Sequence, residues 1–198
     1  MSKTRLLLAA ICLLLFLSAG LAFTLRSRFQ APSQAVTVEI QHPANELLAG
    51  YRQWTRVNPE PLLVAAQNAR LCAIPMASIV PAGPHAQDKY ITVYVNDTGR
   101  HAMMEEKTPH FPQGSIVVKE KLTTANSTKP ELLTVMVKRE PGYNPDSGDW
   151  EYMVFDGSGK SVQARGKLEN CQSCHMSDQD TDYISRRYLP TEVVMRLK

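Results

Sequence analysis

The chain has 198 residues, of which 43% are hydrophobic and 21% are charged, so it is long enough for one hydrophobic core and too short for two domains of ordinary size. Its 22 Lys and Arg residues exceed its 19 Asp and Glu residues by only 3, and this small, scattered excess argues against a nucleic-acid-binding surface. With four cysteines, the sequence also lacks the cysteine density of a small secreted domain held together by disulfides.

The amino terminus has the pattern of a secretory signal. Two basic residues precede Leu6–Leu17, an uninterrupted apolar run, and small residues follow over Ser18–Ala22. This order predicts a signal peptide at residues 1–22. The alternative is an uncleaved membrane anchor, because the segment Leu6–Phe23 is about long enough to span a bilayer. A cleaved signal peptide and a retained anchor would both direct the rest of the chain across the membrane. We therefore expect a periplasmic protein that contacts the membrane only if this segment is retained.

The remainder is predicted to consist of a linker at residues 23–43 and one globular domain at residues 44–198. The domain begins with apolar residues at spacings of three and four, which predicts an amphipathic helix from Ala44 to Val57. These apolar residues are Leu47, Leu48, Tyr51, Trp54 and Val57. The following segment, Leu62–Leu71, is compatible with a second short helix.

Beyond residue 85 the hydrophobic period changes from that of a helix to that of a strand. The alternating segments are Tyr90–Asn96, Ser115–Leu122, Leu132–Lys138, Trp150–Phe155 and Val162–Ala164. A Gly-rich turn joins the last two. The pattern predicts an α+β fold that is mainly β, with an antiparallel sheet, flanking helices and a helical or loop-like C-terminal region.

The C-terminal region carries the strongest functional signal, the pentapeptide Cys-Gln-Ser-Cys-His at residues 171–175. Two thiols at this spacing, Cys171 and Cys174, can add to the two vinyl groups of a haem while the adjacent His175 binds the iron. A redox-active thiol pair would be expected in a βαβ context, and a zinc site would need further ligands. The motif therefore predicts covalently attached haem c with His175 as the metal ligand.

The position of the motif bears on the second axial ligand of the iron. The chain ends soon after His175, and Met195 is the one distant downstream methionine. Met176 is adjacent to His175 and cannot reach the opposite face of the haem, and the upstream methionines are interpreted as core residues. We therefore expect an open iron face, which favours binding or conversion of a small ligand over simple electron transfer.

Several motifs in the same order as in a known family make the sequence resemble the cytochrome P-460 family, which includes cytochrome c′-beta. They are Gly50–Trp54, Phe111–Glu120, Gly142–Pro145, Gly148–Tyr152, Cys171–His175 and Asp182-Tyr183. The similarity runs from about Glu46 to Leu189. The resemblance implies a mostly antiparallel β fold, a homodimer, one c-type haem with a proximal histidine, and a vacant distal side.

The resemblance also assigns roles to three further residues. In the hydroxylamine-oxidising members a lysine is cross-linked to the porphyrin edge, and the matching residue here is Lys119. Those members supply a distal carboxylate from the strand where this sequence has Thr134, which is a poor base. The cytochrome c′-beta members crowd the distal face with phenylalanine, for which Phe111 is the matching residue. An apolar lid would favour neutral gases over polar substrates.

Three functions follow as hypotheses. The first is oxidation of hydroxylamine or nitric oxide, with electrons passing to a redox partner cytochrome. The second is nitric oxide binding or sensing without turnover, and the third is plain electron transfer.

The other reactive side chains are interpreted as structural. His85, His101 and His110 are expected in surface or hydrogen-bonded positions, and Cys72 is expected to be a buried free thiol. The neighbouring arginines, Arg186 and Arg187, are interpreted as a solvated pair, with contact to the haem propionates as the alternative.

Overall fold

The segment predicted as an N-terminal amphipathic helix forms three short elements instead. The computed structural model describes residues 44–65 and 88–198. Helix α1 covers only Ala44–Leu47, a 3₁₀ turn follows at Tyr51–Gln53, and strand β1 is Thr55–Arg56. Gly50 has φ 70°, in the left-handed region, which ends the helical path before Tyr51. The helix prediction for residues 44–57 was therefore wrong.

The start of the second predicted helix is a strand. Leu62–Val64 forms β2, which pairs antiparallel with the strand that begins at Lys89. The rest of the prediction for Leu62–Leu71 lies outside the described residues. The predicted leader at residues 1–22, the predicted linker at residues 23–43, Cys72 and His85 also lie outside the described residues.

The remaining strands confirm the predicted mainly β, antiparallel fold. They are β3 Lys89–Val95, β4 Ile116–Leu122, β5 Leu132–Lys138, β6 Trp150–Asp156 and β7 Val162–Gly166. The sheet order is β1-β3-β4-β5-β6-β7, and β2 also pairs with β3. Every pairing among these strands is antiparallel. From β3 to β7, each strand pairs with the next strand in the sequence, as is common in antiparallel sheets.

The two faces of the sheet support separate hydrophobic clusters. We call the side carrying Ile91, Val93, Val117, Met136 and Tyr152 the front face, and the side carrying Tyr94, Val118, Val135, Met153 and Phe155 the back face. The back face is covered by Leu48 and by residues of the segment mispredicted as a helix, which explains its apolar spacing. The front face is covered by the C-terminal third of the chain.

Three α-helices of seven or eight residues lie in the described part of the chain: α2 Asp97–Met104, α3 Glu169–His175 and α4 Thr191–Leu197. The sequence analysis allowed for a helical C-terminal region, which contains α3 and α4, and it did not predict α2. The sequence feature that could have revealed α2 is its N-cap residue, Asn96. The Oδ1 atom of Asn96 accepts hydrogen bonds from the backbone N–H groups of Gly99 and Ile116. Within residues 44–65 and 88–198, we find no helix with the length and hydropathy needed to cross a bilayer.

Candidate functional site

Helix α3 presents the three residues of the Cys-x-x-Cys-His motif to the front face of the sheet. Cys171, Cys174 and His175 occupy positions i, i+3 and i+4, which lie on the same side of an α-helix. Both cysteines are partly buried. Cys171 packs against the front-face cluster. The fold therefore turns both sulfur atoms and the imidazole toward one space between α3 and the sheet.

Two cavities occupy this space and share part of their walls. The larger encloses about 810 Å³, including space open to solvent. The smaller encloses about 340 Å³ on the same measure. Both are lined by Cys174, His175 and Met136, and Cys171 lines the smaller one. Most of the sheet residues in these walls are apolar, including Val93 and Val117. A flat, largely apolar group can therefore lie between the sheet and α3 with both thiols at its edge.

The imidazole of His175 is oriented by a backbone carbonyl. Its Nδ1 lies 2.7 Å from the carbonyl oxygen of Tyr183. A carbonyl oxygen only accepts hydrogen bonds, so Nδ1 carries the proton and the lone pair is left on Nε2. Burial lowers the pKa of His175, and the positive charge of Lys119 lowers it further. A neutral imidazole with a free Nε2 is the form that binds a metal.

Tyr152 supports the imidazole from the sheet and was not identified from the sequence. Its ring centroid lies 5.6 Å from that of His175, with the two planes tilted by 50°. Its hydroxyl lies 2.7 Å from Ser147 Oγ in a buried hydrogen bond. Burial raises the pKa of Tyr152 to about 12, so the phenol stays protonated and neutral. Strand alternation placed Tyr152 on a face, but nothing in the sequence paired that face with His175.

Two lysines of β4 point to the front face. Lys119 and Lys121 both line the larger cavity, together with His175. Lys119 is partly exposed, whereas Lys121 is only 1% exposed. Sequence reasoning selected Lys119 and missed Lys121. The signal for Lys121 was its period-two spacing from Lys119, which puts the two side chains on the same face of a strand.

The other two residues singled out by the resemblance have different positions. Thr134 pairs with Lys119 in the β4–β5 register and lines the smaller cavity with the motif residues. Phe111 is buried in the front-face cluster, where its ring meets Trp150 edge-on at 5.4 Å. The structure does not bring Phe111 into the walls of either cavity. Its role as a distal lid stays a prediction without support from this placement.

The remaining polar candidates lie mostly outside the cavities. His101 and His110 are exposed, and His101 pairs with Glu105. Arg186 donates to the backbone carbonyl of Ala102 in α2. Arg187 is exposed and lines the larger cavity. Of the two arginines, only Arg187 lines the cavity.

Comparison with known protein families agrees with this arrangement. The family described as Cytochrome P460 matches residues 48–185, which include the whole sheet and all of the motif. The chain belongs to the cytochrome P460 family. None of the curated proteins matches it significantly. Family membership implies a haem-binding protein, and the resemblance seen in the sequence is confirmed.

The described residues of this cytochrome fit a haem. Two cysteines on one helix face, a neutral imidazole with Nε2 available, and apolar walls from the sheet all meet at one space. Thioether formation requires free thiols, and a disulfide between Cys171 and Cys174 would exclude it. The orientation of His175 is the strongest part of this fit, because a structural histidine has no need to keep Nε2 free.

Proposed function

We propose that this cytochrome carries one haem c, attached through Cys171 and Cys174 with His175 as the axial ligand, and that it binds a small nitrogen ligand on the sheet side. The haem would supply an iron centre that binds and exchanges electrons with nitric oxide or hydroxylamine. The observation that carries the proposal is the 2.7 Å contact of His175 Nδ1 with Tyr183 O, made on the same helix face as both thiols. The chain's own residues hold the imidazole and leave Nε2 for the metal.

The polarity of the sheet side favours a neutral ligand. Among the described residues that line the two cavities, Asp178 is the one carboxylate, and it comes from the 3₁₀ turn after α3. The sheet contributes Thr134, the cations Lys119 and Lys121, and apolar side chains such as Val117 and Met136, and none of these is a carboxylate. Hydroxylamine oxidation needs a base to accept protons from the substrate, and a threonine hydroxyl is a poor one. Nitric oxide binding needs no proton acceptor.

Replacing Thr134 with Glu tests this assignment. If the missing base limits oxidation, T134E is expected to raise hydroxylamine-dependent reduction of an electron acceptor by on the order of 100-fold, the usual contribution of a positioned base. T134Q is the matched control, because it has the same length and no basic carboxylate, and its rate is expected to stay at the wild-type level. Both variants and the wild type are expected to bind nitric oxide, followed by optical spectroscopy.

Two results would contradict this account. Rapid oxidation by the wild type with no gain in T134E would show that another group accepts the protons. A six-coordinate, low-spin spectrum that does not respond to nitric oxide would exclude an open site and favour plain electron transfer. Met136 would then be the first residue to test as a sixth ligand, because it lines both cavities.

The second candidate function is hydroxylamine oxidation, and the position of Lys119 favours it. Lys119 lines the larger cavity, and its charge lowers the pKa of His175. A bond from its Nζ to the porphyrin edge would replace one N–H and one C–H bond. Two protons and two electrons would pass to an oxidant such as hydrogen peroxide.

Intact mass distinguishes a cross-linked lysine from a free one. The cross-linked wild type is expected to weigh two hydrogens less than the sum of chain and haem c and to show a red-shifted Soret band. In K119M, the mass is expected to equal the sum of the variant chain and haem c, and the Soret band is expected to lose its red shift. K121M is the control from the same strand and face, and the cross-link is expected to survive in it. The reverse pattern would assign the cross-link to Lys121, and an unmodified wild type would remove this support for oxidation.

The cellular setting completes the proposal. The leader predicted at residues 1–22 supports a periplasmic location, where it is either cleaved or retained as an anchor. Oxidation of the ligand would send electrons to a partner cytochrome, and the family resemblance supports a homodimer.

A further inference from the structure

The carbonyl that orients His175 belongs to a strained corner of the backbone. Asp182 and Tyr183 have φ values of 52° and 62°. Both lie in the left-handed region, which is unfavourable for a residue with a side chain. Two such residues in succession persist only where the surrounding structure holds them.

Three separate segments hold Asp182. Lys138 Nζ, at the end of β5, lies 2.7 and 2.6 Å from the two carboxylate oxygens of Asp182. The backbone N–H of Phe111 donates to Asp182 Oδ2 at 2.8 Å. Trp150 Nε1, at the start of β6, donates to the backbone carbonyl of Asp182 at 2.8 Å. The Lys138 and Asp182 side chains are 14% and 13% exposed, so their interaction is largely shielded from water.

The corner formed by Asp182 and Tyr183 places the carbonyl group of Tyr183 within hydrogen-bonding distance of the His175 imidazole. Tyr183 follows Asp182 directly, and its carbonyl oxygen accepts the Nδ1 proton of His175 at 2.7 Å. A good acceptor at Nδ1 increases the electron density at Nε2 and strengthens the bond of a histidine to its metal. The strength of that acceptor depends on the orientation of the peptide group between Tyr183 and the next residue, which the corner determines.

We infer that Lys138 and Asp182 are positioning residues that hold the Tyr183 carbonyl on His175 and thereby set the strength of the bond from His175 to the haem iron. The inference rests on the proposed function, because it requires His175 to be the axial ligand. Neither residue lines either of the two cavities. Their effect passes through the backbone of residues 182–183.

The test uses the purified haem-loaded protein and its D182N and K138M variants. In the reduced state, the iron–histidine stretching band in the resonance Raman spectrum reports the strength of the axial bond. We expect this band to move to lower frequency in both variants, and release of His175 on adding nitric oxide to become about tenfold faster. D182N removes a negative charge and K138M removes a positive one. A shift of the same sign in both therefore comes from the hydrogen bond and not from the change in local charge.

Two further variants serve as controls. K138R keeps the cation and is expected to retain the wild-type band. E151Q breaks a comparable ion pair of the same sheet, in which Arg165 Nε lies 2.6 Å from Glu151 Oε1. Glu151 points away from the front face, beside Arg165, so E151Q is expected to leave the band unchanged.

The outcomes separate this inference from the proposed function. Haem-loaded D182N and K138M with the wild-type frequency would overturn the inference, even if both unfold at lower temperature, because that pattern shows a merely structural role. A wild type that has no haem, or no iron–histidine band, would refute the proposed function instead. If D182N does not fold, K138M compared with K138R still decides the question.

Discussion

Serine in place of both Cys171 and Cys174 is expected to yield a protein from which acid and organic solvent extract all of the haem. In the wild type, haem is expected to stay with the denatured chain, because two thioether bonds survive unfolding whereas axial ligation does not. The structure supports this prediction by placing both cysteines on the same side of α3. The measurement is the absorbance of the denatured, solvent-extracted polypeptide.

Single variants and a neighbouring substitution make this test specific. C171S and C174S are each expected to retain haem through the remaining thiol. Ser173 lies between the two cysteines and is exposed, so S173A is the control and is expected to behave as the wild type. Retention of haem by the denatured double variant would show attachment elsewhere, and loss of haem from the wild type under the same extraction would refute the thioether assignment.

Gly148→Ala is expected to destabilise the fold by about 2–5 kcal/mol, the sum of left-handed strain and of overpacking a filled site. Gly148 has φ 60°. An added Cβ would lie 2.6 Å from Tyr183 Cδ2 and 2.9 Å from Asp182 Oδ1. Neither neighbour is free to move, since Tyr183 is buried and Lys138 holds Asp182. The substitution is therefore also expected to displace the Tyr183 carbonyl from His175.

Gly142→Ala is the matched control for Gly148→Ala. Gly142 also has a positive φ, 91°, but nothing lies within 4 Å of an added Cβ. G142A is expected to lose only about 1 kcal/mol, from backbone strain. Urea unfolding of the two variants measures the difference. Equal losses would show that the space beneath Tyr183 is not filled as described.

The sequence was most informative where function or pairing is local. The Cys-x-x-Cys-His motif needs only one turn of helix to bring its three residues together, so spacing alone predicted the site on α3. The strands from β3 to β7 were predictable because their side chains follow a pattern with a period of two in the sequence and because sequential strands pair directly. Lys119 and Thr134 were selected by resemblance, and the β4–β5 register places them opposite each other.

The sequence was least informative where distant segments decide the structure. The apolar spacing from Leu47 to Val57 fits a helix, but the left-handed Gly50 and pairing with β3 convert it into a turn and a strand. The orientation of His175 depends on a carbonyl at Tyr183, held through contacts with Lys138 and Trp150. Trp150 is 32 residues from Asp182 in the chain and Lys138 is 44 residues from it. No local sequence pattern could reveal contacts over such separations.

The mass of the acid-denatured wild-type protein tests the central claim most directly. We predict one species whose mass is that of the polypeptide plus one covalently bound haem, either unmodified or two hydrogens lighter if Lys119 is cross-linked. A mass equal to that of the polypeptide alone, from protein purified with its cofactor intact, would contradict haem attachment at Cys171 and Cys174 and with it the proposed function.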